Sequence, residues 1–285
     1  MKCEETFERI KHAHKRLWIV RHGRSIGNED ISNYGKMPCT VLPLTDEGEQ
    51  QGRDVGQFFF DAAHHFDWVG DFQPEVIASP FMRAYHTGEL ALETLAAQGL
   101  DQTFGGGMKI LDDLHEQSMG ILDSMGLVRM KKERPKAYAE LLKHLEHDAF
   151  SWYTPPQGES GSLSESGMDV HRRLKPVCQY INDSEAQDIL SFGHGNTNRF
   201  LPRDLLGVPW QWSERQPIGP NTGVRLLYQE RPGERFKDHG YVYEPFYKRI
   251  PKGRGGANFD GYELGDESYA KRVYRLIAEE DDRHI

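Results

Sequence analysis

The sequence predicts an α/β fold: a mostly parallel central sheet flanked by helices on both faces, with a helical and loop lid insertion and a C-terminal extension. Three observations predict it. Apolar runs at 17–20 (LWIV), 75–78 (EVIA) and 188–192 (DILSF) have the length of buried strands. Segments of helical period separate them, the alternation of a parallel sheet covered by helices. Each run also ends in residues suited to an anion: Arg21-His22-Gly23, Ser79-Pro80 with Arg83 beyond, and Gly193-His194-Gly195. In an open parallel sheet, ligands bind outside the carboxyl ends of the strands. Two histidines and two arginines delivered to one such edge make a compact cationic pocket, whose natural guest is a phosphoryl group.

Taken in order, residues 1–14 read as a polar lead-in and Lys15 to Val20 opens the first strand. Between Pro43 and Phe66, Thr45-Asp46-Glu47 precede Val55, Phe58, Phe59 and Ala62 at helical spacing. Acids at that start suit the positive end of a helix dipole. Glu75 to Ser79 is the second strand and Phe81 to Ala97 the next helix. Gly105-Gly106-Gly107 closes that unit, and Met108 to Leu111 reads as a short strand. Leu127 to Phe150 is charged and helical, restarted at Pro135, and a loop rich in Pro, Gly and Ser follows from Tyr153 to Gly167. Met168 to Asn182 is a helix expected to kink at Pro176. Asp188 to Phe192 is a strand, Asn196 to Leu206 a helix and Val224 to Gln229 a strand. Residues 231–285 are rich in Gly, Tyr, Arg and acids, with a short helix near Ser268 to Glu280. They read as an extension packed on the core or on a partner chain.

The 285 residues carry a formal net charge of -9, a poor basis for nucleic-acid binding. Any phosphate site is therefore a local positive cluster on a negative background. Cys3, Cys39 and Cys178 form no CxxC pair, so neither a zinc site nor a disulfide framework is expected. The charged N-terminus lacks the apolar centre of a signal peptide, and no run approaches the ~20 apolar residues of a membrane span. The reading is a soluble, cytoplasmic protein without membrane or nucleic-acid partners. Homo-oligomerisation stays open.

At residues 21–28 the first strand runs into a glycine-containing loop, where backbone can approach a ligand closely. A neutral imidazole such as His22 is a competent nucleophile near neutral pH, its ordinary pKa being about 6.5. Attack on phosphorus would split hydrolysis into two easier steps through a phosphohistidine. Phosphoryl transfer otherwise demands positioning and charge around three oxygens, which arginine forks such as those of Arg21 and Arg83 supply. The leaving oxygen needs a proton. Glu116, in Leu114-His115-Glu116-Gln117-Ser118-Met119-Gly120, is a slightly better candidate than Asp112, Asp113 or His115.

The ordered set of these residues resembles the histidine phosphatase superfamily, in its phosphoglycerate-mutase-like branch. The pieces are Arg21-His22-Gly23 with Ser25 and Asn28, Leu44-Thr45 with Gly48, and Ser79-Pro80 with Arg83-Ala84 and Thr87. Leu114, Glu116, Gly120, Gly158-Glu159-Ser160, His194-Gly195 and Asn221 complete it. The resemblance implies that His22 is phosphorylated, that Arg21, Arg83 and His194 grip phosphoryl oxygens, and that Glu116 is the acid and then the base for water. It implies substrate contacts at Asn28, Arg24, Ser25, Glu159 and Ser160, no metal and no cofactor. It implies a domain at 15–230 with a lid at about 121–167, followed by the 231–285 extension.

Two departures matter. Many relatives carry Glu where Arg24 stands, so a more positive entrance is expected. Residues 124–165 lack the Arg-Arg and Tyr arrangement of phosphoglycerate mutases, which favours hydrolysis. The reading is a metal-independent phosphatase acting on a small phosphorylated substrate, phosphopeptides included. Its alternatives are cofactor-dependent mutase chemistry and a catalytically silent phospho-ligand-binding protein on the same fold. Gly253-Arg254-Gly255-Gly256 lacks the Lys and Ser/Thr of a P-loop, and Arg129 to Lys136 reads as a solvated basic face.

Overall fold

Among the described residues, six strands form one sheet: β1 Lys15–Arg21, β2 Glu75–Ala78, β3 Met108–Ile110, β4 Asp188–Gly193, β5 Val224–Gln229 and β6 Lys237–Tyr243. Their order is β3-β2-β4-β1-β5-β6. The pairs β1/β4, β2/β4 and β2/β3 are parallel, while β5 and β6 run antiparallel. This computed structural model describes residues 2–243, apart from 31, 32, 35, 69, 70, 101–106, 148, 149 and 158–163. The sheet is thus parallel through β3, β2, β4 and β1, four of its six strands, as the alternation of apolar runs and helices predicts.

The strands are buried on both faces, so their residues alternate between two cores. Trp18, Val20, Val76, Leu190 and Phe192 pack on α3 (Asp46–His65) and α4 (Met82–Leu95) through Val55, Phe59, Ala91 and Leu95. Leu17, Ile19, Ile77 and Ile189 face α7 (Gly167–Asp183) through Val170, Leu174 and Val177. A third cluster joins Ile121, Met125, Met130, Leu141, Leu145 and Tyr153, binding α5 (Ile121–Glu133) to α6 (Pro135–Glu146). Pro135 opens α6, where its missing N–H costs nothing, as the restart at that residue predicts.

Two expectations change. The polar lead-in is a helix, α1 (Lys2–Lys11), with Ile10 buried in the first core. Pro176 lies inside the helix α7. The helix expected over Asn196 to Leu206 is two, α8 (Gly195–Phe200) and α9 (Pro202–Leu206), with Pro202 beginning the second. In addition, β6 lies within the stretch read as an extension. It is a half-exposed edge strand of low apolar content, so periodicity gives no sign of it. The helix expected near Ser268 to Glu280 lies outside the described residues. Among the described residues no helix is long and apolar enough to cross a membrane.

The end of the sheet opposite the phosphate-suited loops is held by a buried ion pair. Arg16 Nε and Nη2 donate to the two carboxylate oxygens of Asp188 at 2.7 and 2.6 Å, and Trp18 Nε1 donates to Asp188 at 2.9 Å. Arg16 also donates to the carbonyls of Ile10 and Lys11 at the end of α1 and lies over the Trp68 ring. With side chains only 2% and 3% exposed, removing one partner strands the other charge. Arg16→Ala is expected to destabilise the fold by ~3–5 kcal/mol, read from denaturant unfolding. A loss below ~1 kcal/mol would show the pair to be solvent-relieved.

Candidate active site

Parallel pairing brings the three strand-end motifs together. Arg21 stands level with Gly193 and Ala78 with Phe192, so His22, Ser79 and His194 leave the sheet at the same edge. Gly23 and Gly48 let the loop after β1 lie backbone-to-backbone on the start of α3. A Cβ on Gly23 would stand 2.3 Å from the Gly48 carbonyl oxygen, and one on Gly48 2.0 Å from that of Arg24. Only glycine permits that approach. Thr45 caps α3 by accepting the Gly48 N–H, and Thr87 accepts the Gly23 N–H at 2.9 Å.

His22 is 2% exposed. Its Nδ1 lies 2.7 Å from the carbonyl of Gly23, which can only accept, so Nδ1 carries the proton and Nε2 keeps a lone pair. Arg83 Nε donates to that lone pair at 3.2 Å. Burial, then the Arg83 and Arg21 charges, hold the His22 pKa well below its ordinary value, so the ring is neutral. His194 lies 5.2 Å away, ring centre to ring centre, and is likewise held neutral by burial and Arg83. Its Nε2 is 2.7 Å from Ser79 Oγ, while its buried Nδ1 has no hydrogen-bond partner among the described residues. The guanidinium of Arg21 is steered by the Gly219 carbonyl and that of Arg83 by the Cys39 carbonyl, each at 2.7 Å.

Glu116 follows the turn Asp112–Leu114 and reaches the start of α8. Its Oε1 accepts the N–H groups of Gln117 and Thr197 at 2.8 and 3.2 Å, and its Oε2 that of Asn196 at 3.3 Å. Backbone amides and the Thr197 hydroxyl thus surround this carboxyl. Arg173 of α7 holds the segment by donating to the carbonyls of Asp113 and His115 and to Glu165.

A model of the histidine phosphatase superfamily (branch 1) matches residues 17–241. This chain belongs to that superfamily. The match runs into β6, past residue 230. The protein named "Probable phosphoglycerate mutase GpmB" of Salmonella arizonae is 26% identical over 215 residues, covering 75% of this chain and 85% of its own. Its namesake from Erwinia tasmaniensis is 26% identical over 217 residues, covering 76% and 86%. Among solved structures, mycobacterial glucosyl-3-phosphoglycerate phosphatase in complex with VO3 superposes with a TM-score of 0.54. It is 19% identical over 80% of this chain and 98% of that one. The α-ribazole phosphatase of Shigella flexneri has a TM-score of 0.55 and 20% identity, over 74% and 89% of the two chains. At these identities the structures establish a shared fold.

Within this histidine phosphatase fold, the residues expected to touch substrate divide. Asn28 lies at the pocket, its Oδ1 accepting from Ser25 N, Ser25 Oγ and Asn221 Nδ2, each at 3.1 Å. Ser25 is fully buried and gives its hydroxyl to Asn28, so it positions that amide. Arg24 pairs with Glu47 at 2.6 Å and with Glu29 at 3.7 Å, which offsets the more positive entrance expected from its charge. Glu159 and Ser160 lie outside the described residues. The parts that sequence reasoning missed are the Cys39 carbonyl on Arg83 and Arg173 behind Glu116. Neither sits in a local pattern that marks it. Among the described residues no group of three or more His, Cys, Asp or Glu side chains is arranged to hold a metal ion.

Proposed function

We propose that this histidine phosphatase superfamily member is a phosphomonoesterase that works through a phosphohistidine on His22. The observation that carries the reading is the His22 ring: proton pinned on Nδ1, lone pair on Nε2, and Arg21, Arg83 and His194 around it. The Nε2–P bond forms as the P–O bond to the leaving group breaks. Arg21 and Arg83 take the charge spread over the equatorial oxygens. With Ser79 donating to Nε2 of His194, Nδ1 of that ring carries a proton for a third phosphoryl oxygen. Water then attacks the phosphohistidine, releasing orthophosphate and neutral His22. The resemblance points to Glu116 for the proton exchanged with leaving group and water. The substrate in this reading is a small phosphorylated molecule, phosphopeptides included.

Mutase transfer within a sugar acid is the second reading, favoured by the name of the 26%-identical relatives. Incubation with a panel of phosphorylated metabolites, with and without a bisphosphorylated cofactor, separates the two. Hydrolysis is expected to release orthophosphate in step with substrate loss, unaffected by the cofactor. Isomer formation that outpaces orthophosphate would select the mutase. Phosphate binding with no turnover across the panel would select the silent binder.

A further inference from the structure

The loop leading into β5, residues 216–222, touches the phosphoryl pocket along its length. The Gly219 carbonyl accepts from Arg21 Nη1 at 2.7 Å. Thr222 N donates to the Arg21 carbonyl at 3.0 Å. Asn221 Nδ2 donates to the His22 carbonyl at 3.0 Å and to Asn28 Oδ1 at 3.1 Å. Ile218 packs on Gly195, where the Arg21 guanidinium also lies: a Cβ on Gly195 would stand 2.8 Å from Ile218 Cγ2 and 3.6 Å from Arg21 Nε. The loop therefore builds one wall of the site. Its path is one that its own residues do not favour. Thr222, a β-branched residue, has a φ of 55°, and such a conformation persists only where the surroundings over-determine it.

The anchors of this loop lie in the β5–β6 hairpin. Arg225 of β5 is buried, and its Nε and Nη2 donate to the two carboxylate oxygens of Asp238 on β6, the first at 3.0 Å. Nη2 donates besides to Oε1 of Gln216 at 3.1 Å, a bond made away from water because Gln216 is buried too. The Arg225 guanidinium faces two rings, 4.9 Å from the centre of Trp212 and 5.8 Å from that of Tyr241. Tyr241, also on β6, meets the loop directly: a Cβ on Gly219 would overlap the Tyr241 hydroxyl, so ring and loop backbone are in contact. The hairpin thus grips Gln216 at the start of the loop and Gly219 in its middle. Pro217 and Pro220, each with φ confined by its ring, leave few soft torsions between these grips and the carbonyl on Arg21.

We propose that the β5–β6 hairpin positions Arg21 for phosphoryl transfer, through Arg225 on Gln216 and Tyr241 on Gly219. These are positioning residues: they act through Arg21, by fixing the carbonyl that aims its guanidinium. A charge stabilises a transition state most when it is held in place beforehand, since no energy is then spent on turning it. The edge strand β6, exposed and poor in apolar periodicity, thereby has a task at the site. This rests on the phosphohistidine reading above, in which Arg21 takes up charge on the phosphoryl oxygens.

Gln216→Met removes the acceptor and leaves the Arg225–Asp238 pair intact, and Tyr241→Leu removes the ring from a partly exposed strand. Each is expected to lower kcat for p-nitrophenyl phosphate ~10-fold or more, the scale of a misaligned group, with a smaller change in KM. In an Arg21→Ala background, followed by single-turnover kinetics, the same substitutions are expected to cost less than about twofold, because the group they aim is gone. Thermal unfolding checks each variant, and Tyr241→Leu carries the cycle if Gln216→Met does not fold. Equal slowing in both backgrounds would overturn the assignment, since the loss would then not pass through Arg21; so would unchanged kcat in the wild-type background. Acid-quenched labelling of His22 runs alongside. A labelled wild-type His22 with either contrary pattern sinks the role of the hairpin alone, and an unlabelled one sinks the phosphohistidine reading with it.

Discussion

Replacing His22 with alanine is expected to abolish turnover of p-nitrophenyl phosphate. Spontaneous phosphate-monoester hydrolysis is so slow that enzymatic acceleration approaches ~10²¹, and the covalent route depends on one nitrogen lone pair. No substitute stands in its place: His194 has its Nε2 on Ser79 and lies 5.2 Å off, centre to centre. Alanine leaves the arginines to bind phosphate but nothing to accept the phosphoryl group. Near-normal turnover in His22→Ala would refute the mechanism. The same ring sets a pH dependence. Burial and the Arg83 and Arg21 charges depress its pKa, so it stays unprotonated as pH falls through its ordinary value of about 6.5. Phosphoenzyme formation, measured by acid quench, is expected to hold up across that interval and decline only well below it. A decline centred at the ordinary value would contradict a desolvated nucleophile.

Arg83→Ala is expected to lower kcat by ~10³-fold, the scale at which a charge-stabilising arginine acts in phosphoryl transfer. Arg83 is 1% exposed, with Nε on His22 Nε2 at 3.2 Å and Nη1 on the Cys39 carbonyl at 2.7 Å. The Cys39 contact fixes the plane of the guanidinium. When a phosphoryl group enters, its oxygens replace the His22 lone pair as the acceptors of that fork. A lysine cannot make both contacts, so Arg83→Lys is expected to recover little of the loss. Steady-state kinetics distinguish the cases. A fall mainly in kcat marks charge stabilised in the transition state, whereas a rise confined to KM would mark uniform binding. Recovery by Arg83→Lys to within tenfold of wild type would show that point charge alone suffices.

Much of the site was legible before any coordinates. The three apolar runs are strands, and His22, Arg83 and His194 converge because β1, β2 and β4 are parallel neighbours. Local patterns carried this: strand length, a glycine after the strand, and a proton-neutral ring beside cations. Other parts were illegible for a physical reason. The fate of Arg24 depends on Glu47 and Glu29, and Asn28 is also held by Asn221, which arrives from far along the chain. The edge strand β6 carries almost no apolar periodicity, and α1 is tied down by distant groups, with Ile10 in the first core and Arg16 on its last carbonyls.

By itself, then, the sequence determined the α/β class, the strand-end loops with the histidines and arginines they carry, and membership of the histidine phosphatase superfamily. Each of these is written in contiguous stretches, where backbone propensity and residue chemistry act over a few positions. Tertiary structure alone decided the tautomer of His22, the grip of Cys39 on Arg83 and the amide cradle around Glu116. Those depend on which distant backbone groups become neighbours after packing. The donors facing a carboxyl, and the water it loses, are properties of that packing and not of the residue.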